Sequence, residues 1–377
     1  MERSALVYVF LTLVTVGLAL CVDNRKELQP ALLGRRMYGE QAGLSRKGAR
    51  NLVAEFAIYA LLTGVAACRI AVGNDYWVYR DNFKLIAQDR HVSSESGFNL
   101  IVRCMVELFG YDNYLPIFAL FSIVTVFFFV AALHYMGEHY AFSLFLLLTG
   151  GYYFHSLNSV RYYLALAIAL FSMKYVLSAQ YGKFVLLIVA GALFHKSVLL
   201  VIPVYLTARF LASVKLKVWH YVVGVLFLLS LVFGQEFYRA VIFKFYPYYE
   251  GSVFDNGQVS YVNIGKCLAT LLLSLICYRK VLKDNQVYKF YFYLNLFGLV
   301  AYCCGSFIPE VSRIGYYMII SQVFLLPGLV KNMEKGWFRK LCTIGVIGAF
   351  SLYFVMLLRD MYAVDVRLLP YLNWIFN

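Results

Sequence analysis

Long apolar runs separated by short polar clusters set the pattern of this chain. The runs fall at 5–22, 52–72, 114–133, 141–154, 162–178, 184–194, 198–210, 218–234, 261–278, 290–308, 314–330 and 341–358. Several reach the roughly 20 residues with which an α-helix, rising about 1.5 Å per residue, crosses about 30 Å of hydrocarbon. The stretch 118–133 carries no charge and no alternation, whereas a spanning β-barrel is built from alternating segments of about ten residues. The pattern therefore predicts an all-α fold, a polytopic transmembrane helical bundle of about 12 membrane segments that forms a single integral membrane domain over residues 1–377.

Composition agrees. The chain is 62% hydrophobic and only 14% charged, against roughly a quarter charged in soluble domains. Its 8 cysteines include no CxxC pair and mostly lie in apolar runs, so neither a disulfide framework nor a zinc site follows. HExxH, GxSxG and P-loop patterns are missing, which leaves nucleotide handling and zinc hydrolysis unsupported. A net charge of +14 raises the question of nucleic acid. The basic residues are spread through short loops rather than gathered on one solvated surface, so the lipid bilayer is the expected partner and nucleic acid is not.

Loop charge gives an orientation. The segment 23–50 carries Arg25, Lys26, Arg35, Arg36, Arg46, Lys47 and Arg50, which places it in the cytoplasm and the amino terminus outside. The first run lacks a basic segment before it and a small-residue cleavage site after it, and reads as an uncleaved anchor. Later basic clusters, at Arg209/Lys215/Lys217, Arg279/Lys280/Lys283/Lys289 and Lys331/Lys335/Arg339/Lys340, also fall inside on one condition. The stretch 184–210 must go out and return, and it is short for two full crossings. A broken hairpin of two half-length helices meeting at His195-Lys196-Ser197 satisfies both requirements. Both termini are then extracytoplasmic, with outer segments at 73–113 and 235–260.

Polar residues at the outer ends of these runs are costly at membrane depth and tend to face protein or water-filled cavities. Arg161 opens the run at 162–178; it is either an interfacial arginine or a bidentate phosphate ligand. Arg313 has the same two readings, with an ion pair to Glu310 as a third. Asp75, after Gly73, is a turn or cap residue or a carboxylate that takes a proton from a hydroxyl, with Glu95 and Glu310 as competitors for that role. His195 is a core histidine or a base active near neutral pH. Ser197 can cap the second half-helix and Lys196 can add positive charge. The aromatic residues between 237 and 261 form an interfacial belt or a surface for stacking on sugars.

Five segments, in order, resemble the EpsG family, a branch of the Wzy-like polysaccharide polymerases of bacterial envelopes. They are RIAVGNDYWVY from Arg69 to Tyr79, ESGF from Glu95 to Phe98, RYYLALAIAL from Arg161, FHKS from Phe194 to Ser197, and SRIGYY from Ser312 to Tyr317 with Pro327 beyond. Two features depart from the pattern: Ser96-Gly97 stands where a proline-glycine is expected, and the loop 23–50 is longer than usual.

The resemblance implies a GT-C-like membrane glycosyltransferase of the bacterial inner membrane. It implies polymerisation of undecaprenyl-pyrophosphate-linked oligosaccharide repeat units into exopolysaccharide, capsule or O-antigen at the outer face, without a cofactor or metal, alongside a chain-length regulator and a flippase. Arg161 and Arg313, helped by Arg69, then meet the pyrophosphate, and Asp75 or His195 is the base. Tyr76, Tyr79, Glu95, Lys196, Ser197 and Glu310 bind or position substrate. A glycan ligase, a lipid-linked glycan transporter and a membrane acyltransferase centred on His195 are the alternatives.

Overall fold

The structure, a computed structural model, describes residues 3–23, 46–110, 113–245, 247–252, 255–364 and 366–375. Most of the basic segment 23–50 lies outside the described residues. Those described are helical, with no strand beyond a single bridge between Arg69 and Asn373. The chain divides into two compact units, Met1–Leu199 with Glu334–Asn377, and Leu200–Met333.

The first unit contains α1 (Arg3–Ala19), α2 (Arg46–Ala67), α3 (Tyr76–Ala87), α4 (Ser96–Phe109), α5 (Leu115–Met136), α6 (Tyr140–Thr149), α7 (Val160–Leu177) and α8 (Tyr181–Ala192). Its hub is α7, most of whose residues are buried. Ala165, Ala167 and Ala169 are fully buried there, because small side chains let neighbouring helices approach closely in an apolar medium. α7 packs along both α5 and α8. The run expected at 141–154 breaks at Gly150-Gly151, where Gly151 adopts φ +84, a left-handed conformation that favours glycine. The outer segment expected at 73–113 holds two helices, α3 and α4, joined through a core of Tyr79, Phe83, Phe98 and Phe118.

In the second unit are α9 (Val201–Ser213), α10 (Val218–Phe233), α11 (Gln235–Phe245), α12 (Tyr261–Ile276), α13 (Gln286–Cys303), α14 (Val311–Ile319) and α15 (Gln322–Lys331). Polar contacts join its apolar helices. Asn295 Nδ2 donates to the Cys267 carbonyl at 3.0 Å, and Gln322 Nε2 to Asn295 Oδ1 at 2.8 Å. Each buried amide thereby offsets part of the other's desolvation. Gly315 lies against the Tyr302 ring, where a Cβ would come within 2.5 Å of it. The outer segment expected at 235–260 begins with α11, bent 78° from α10.

Finally α16 (Trp337–Asp360) belongs to the first unit and packs on α6. The chain after it folds back on residues 68–74. Trp374 N donates to Cys68 O at 3.1 Å, Ile70 N to Leu372 O at 3.0 Å and Gly73 N to Arg367 O at 2.7 Å. Tyr8 Oη, from α1, reaches Leu368 O at 2.8 Å, so the start of α1 and the end of the chain share one face of this unit.

All twelve apolar runs fall on helices. Among the described residues, seven helices are long and apolar enough to cross a membrane, and up to eight if the bent pair α10–α11 is one span. Four more, Ser4–Ala19, Tyr140–Thr149, Tyr181–Ala192 and Tyr261–Ile276, are shorter, at roughly 15–24 Å. The hairpin expected at 184–210 is only half as drawn. Its first arm, α8, is short, but the second begins with a 3-10 turn at Lys196 and runs unbroken to Ser213, long enough to cross. It ends only where Val214 turns extended.

Candidate functional site

Within the first unit, residues from four distant segments meet beside the start of α7. The loop after α2 leaves the helix at Ala67, earlier than the apolar run suggests, and residues 68–75 are irregular. Gly73, at φ +96, passes so close to the α7 entry that a Cβ would lie 2.9 Å from both Asn158 Cα and Leu157 O. That contact aligns Asp75. Its N–H donates to Asn158 Oδ1 at 2.9 Å, and its Oδ2 accepts from Ser159 Oγ at 2.8 Å. Asp75 precedes α3 without making a side-chain cap, so the capping alternative for it is not realised.

Arg161 lies in the first turn of α7. Its guanidinium sits 5.3 Å from the Phe98 ring and 5.9 Å from the Tyr79 ring, and Nη1 donates to Glu95 Oε2 at 2.5 Å. The other carboxylate oxygen, Oε1, accepts the Lys196 backbone N–H at 3.2 Å. Glu95 therefore ties Arg161 to the turn after α8. The ESGF segment is built for this junction: a Cβ on Gly97 would lie 2.6 Å from Leu193 Cβ, and Phe98 N donates to Leu193 O at 3.2 Å. Ser96 is the first residue of α4, a position that proline also tolerates, so serine in place of proline leaves the turn intact.

At the turn itself, His195 Nδ1 lies 2.9 Å from Ser197 Oγ, and its ring meets Tyr162 edge-on at 5.4 Å. Ser197 thus engages the imidazole from within the 3-10 turn, and the residue before α9, Leu200, makes no side-chain cap. The Lys196 side chain is exposed.

Three of the residues expected to bind substrate are buried. Arg69 is 1% exposed. Its Nε donates to Leu157 O at 3.2 Å and Nη1 to Ser122 Oγ at 2.8 Å and to Ala66 O, while the guanidinium lies over Phe118. These contacts pin the end of α2 to α5 and to the α7 entry. Tyr76 is buried and stacked on Phe118 at 4.5 Å. Tyr79 is buried too, and burial pushes its hydroxyl pKa up, partly offset by Arg161; its Oη accepts a long bond from the Arg161 N–H. Both rings serve the packing beneath Arg161.

Arg313 and Glu310 belong to the second unit. Glu310 precedes α14 in a left-handed conformation, φ +52, and accepts from Arg313 Nε at 2.6 Å. The pair is more open than its counterpart, with side chains 42% and 21% exposed against 25% and 14% for Arg161 and Glu95.

The carboxy-terminal segment that braces residues 68–74 was not visible as a site component in the sequence, because its contacts are made by backbone groups. Among the described aromatic residues between 237 and 261, Phe237 is exposed and Phe243 is buried against Arg239.

The fold and this junction define a helical membrane protein whose polar groups are assembled at the ends of its apolar helices. The chain belongs to the EpsG family, whose model matches residues 53–373, and so to the membrane proteins of polysaccharide biosynthesis. No curated protein and no solved structure matches it.

Proposed function

We propose that this protein polymerises undecaprenyl-pyrophosphate-linked oligosaccharide repeat units at the outer face of the bacterial inner membrane. In this reading all twelve apolar helices lie within the membrane in a GT-C-like arrangement, with both termini outside. A chain-length regulator and a flippase act beside it. The observation that carries the reading is the junction of Arg161, Glu95 and the Lys196 N–H, in which segments 66 and 101 residues apart converge on one arginine and one imidazole-bearing turn.

In the reaction, an acceptor hydroxyl oxygen bonds to the anomeric carbon of the growing glycan as the bond from that carbon to the pyrophosphate oxygen breaks. The lipid pyrophosphate leaves with the bonding electrons. Arg161 stabilises the charge that develops on it, since donors aimed at a leaving group act most strongly in the transition state. Asp75 or His195 takes the hydroxyl proton, and Ser197 orients the imidazole. Glu95 positions Arg161, while Arg69 holds the scaffold behind it.

The test is purified full-length protein in liposomes supplied with one lipid-linked repeat unit and nothing else. A polymerase yields a ladder of lengthening glycans. Transfer only when a separate acceptor is added identifies a ligase, and movement across the bilayer without new glycosidic bonds identifies a transporter; either outcome overturns the proposal.

A further inference from the structure

We propose a second anion site at the end of α7 opposite Arg161, where Lys174 and Lys183 hold the phosphate of an anionic phospholipid headgroup. Between Arg161 and Lys174 the helix rises about 20 Å, so this site is separate from the junction above. The Lys174 Nζ lies over three rings, 3.5 Å from the Tyr135 centroid, 4.2 Å from Phe171 and 4.8 Å from Tyr175. Lys183, exposed in the first turn of α8, lies across the short turn 178–180 from it, on the helix that packs along α7. Neither lysine is ion-paired among the described residues. Glu55, which reaches the residue next to Tyr135, is held by His134 at 2.7 Å.

Two cations kept together without a carboxylate repel one another, and a bridging phosphate relieves that repulsion while accepting charge-assisted hydrogen bonds from both. A lysine that only extends to the membrane surface needs no second cation beside it. The surroundings point to a lipid rather than a soluble anion. Tyr135 ends α5, a helix long and apolar enough to cross, and Tyr181 begins α8; the two are 46% and 43% exposed. Aromatic residues at helix ends mark headgroup depth. In the orientation proposed above this is the cytoplasmic leaflet, but the site itself does not depend on the polymerase reading.

Full-length protein in nanodiscs of mixed phosphatidylglycerol and phosphatidylcholine, analysed by native mass spectrometry, tests the assignment. Wild type retains phosphatidylglycerol preferentially. Each lysine near an anionic surface contributes about fivefold, so K183Q loses about fivefold in retention and K174Q/K183Q about 30-fold, while K174R/K183R keeps it. K183Q alters an exposed side chain and leaves the packing of Lys174 intact, so it reports even where the double variant misfolds. Equal retention by wild type and K183Q, or no preference for phosphatidylglycerol, overturns the site. Displacement of the lipid by inorganic phosphate at equal concentration overturns the headgroup assignment in favour of a free anion.

Discussion

Two arginines near the starts of two helices carry two kinds of ion pair. Arg161 meets Glu95 from 66 residues away and is shielded by Phe98 and Tyr79, whereas Arg313 meets Glu310 three residues before it and is substantially open to solvent. A long-range pair of low exposure can exist only once the fold has formed, and losing one partner strands the other in a poorly hydrated place. A local exposed pair forms with the helix and contributes little. The same pairing therefore joins distant segments in one place and braces only the start of a helix in the other.

The largest effect is expected from Arg161→Ala. Polymer formation falls by at least about 100-fold, the scale of losing one charge-stabilising donor, while the protein still reaches the membrane. Gel analysis of chain length checks this, and wild-type lengths would remove Arg161 from the site. Arg161→Lys restores only part of the activity, because lysine lacks the planar fork.

Glu95→Ala sharpens the structural half of the comparison. It removes both the Arg161 partner and the acceptor for Lys196 N–H, and costs about 2–4 kcal/mol, read as a lower unfolding temperature in detergent. Gly97→Ala drives a Cβ into Leu193 and costs about 1–3 kcal/mol. Its activity falls along with Glu95→Ala if the α4–α8 contact positions the turn, and unchanged activity would separate the two. The smallest change is Glu310→Gln, at no more than about 0.5 kcal/mol. A loss of stability equal to that of Glu95→Ala would erase the distinction between the pairs.

Much of the molecule is legible from sequence because burying apolar side chains in lipid constrains every position of a spanning helix. The apolar runs, their helical state and the polar residues at their ends follow from period and length. So does the proximity of Glu310 to Arg313, since only two residues separate them. The ESGF and FHKS segments could be recognised as resembling a family, but not as two halves of one contact.

What the tertiary structure alone decided is which polar groups meet. The pairing of Glu95 with Arg161 and with Lys196 N–H, of Asp75 with Ser159, and the burial of Arg69 against backbone carbonyls depend on close approaches at Gly73 and Gly97. The brace that the carboxy-terminal segment lays on residues 68–74 depends on backbone groups that every residue carries. Hydropathy is a property of single positions and periods, so it reaches the helices; hydrogen bonds between distant segments are set by packing, and only the folded chain contains them.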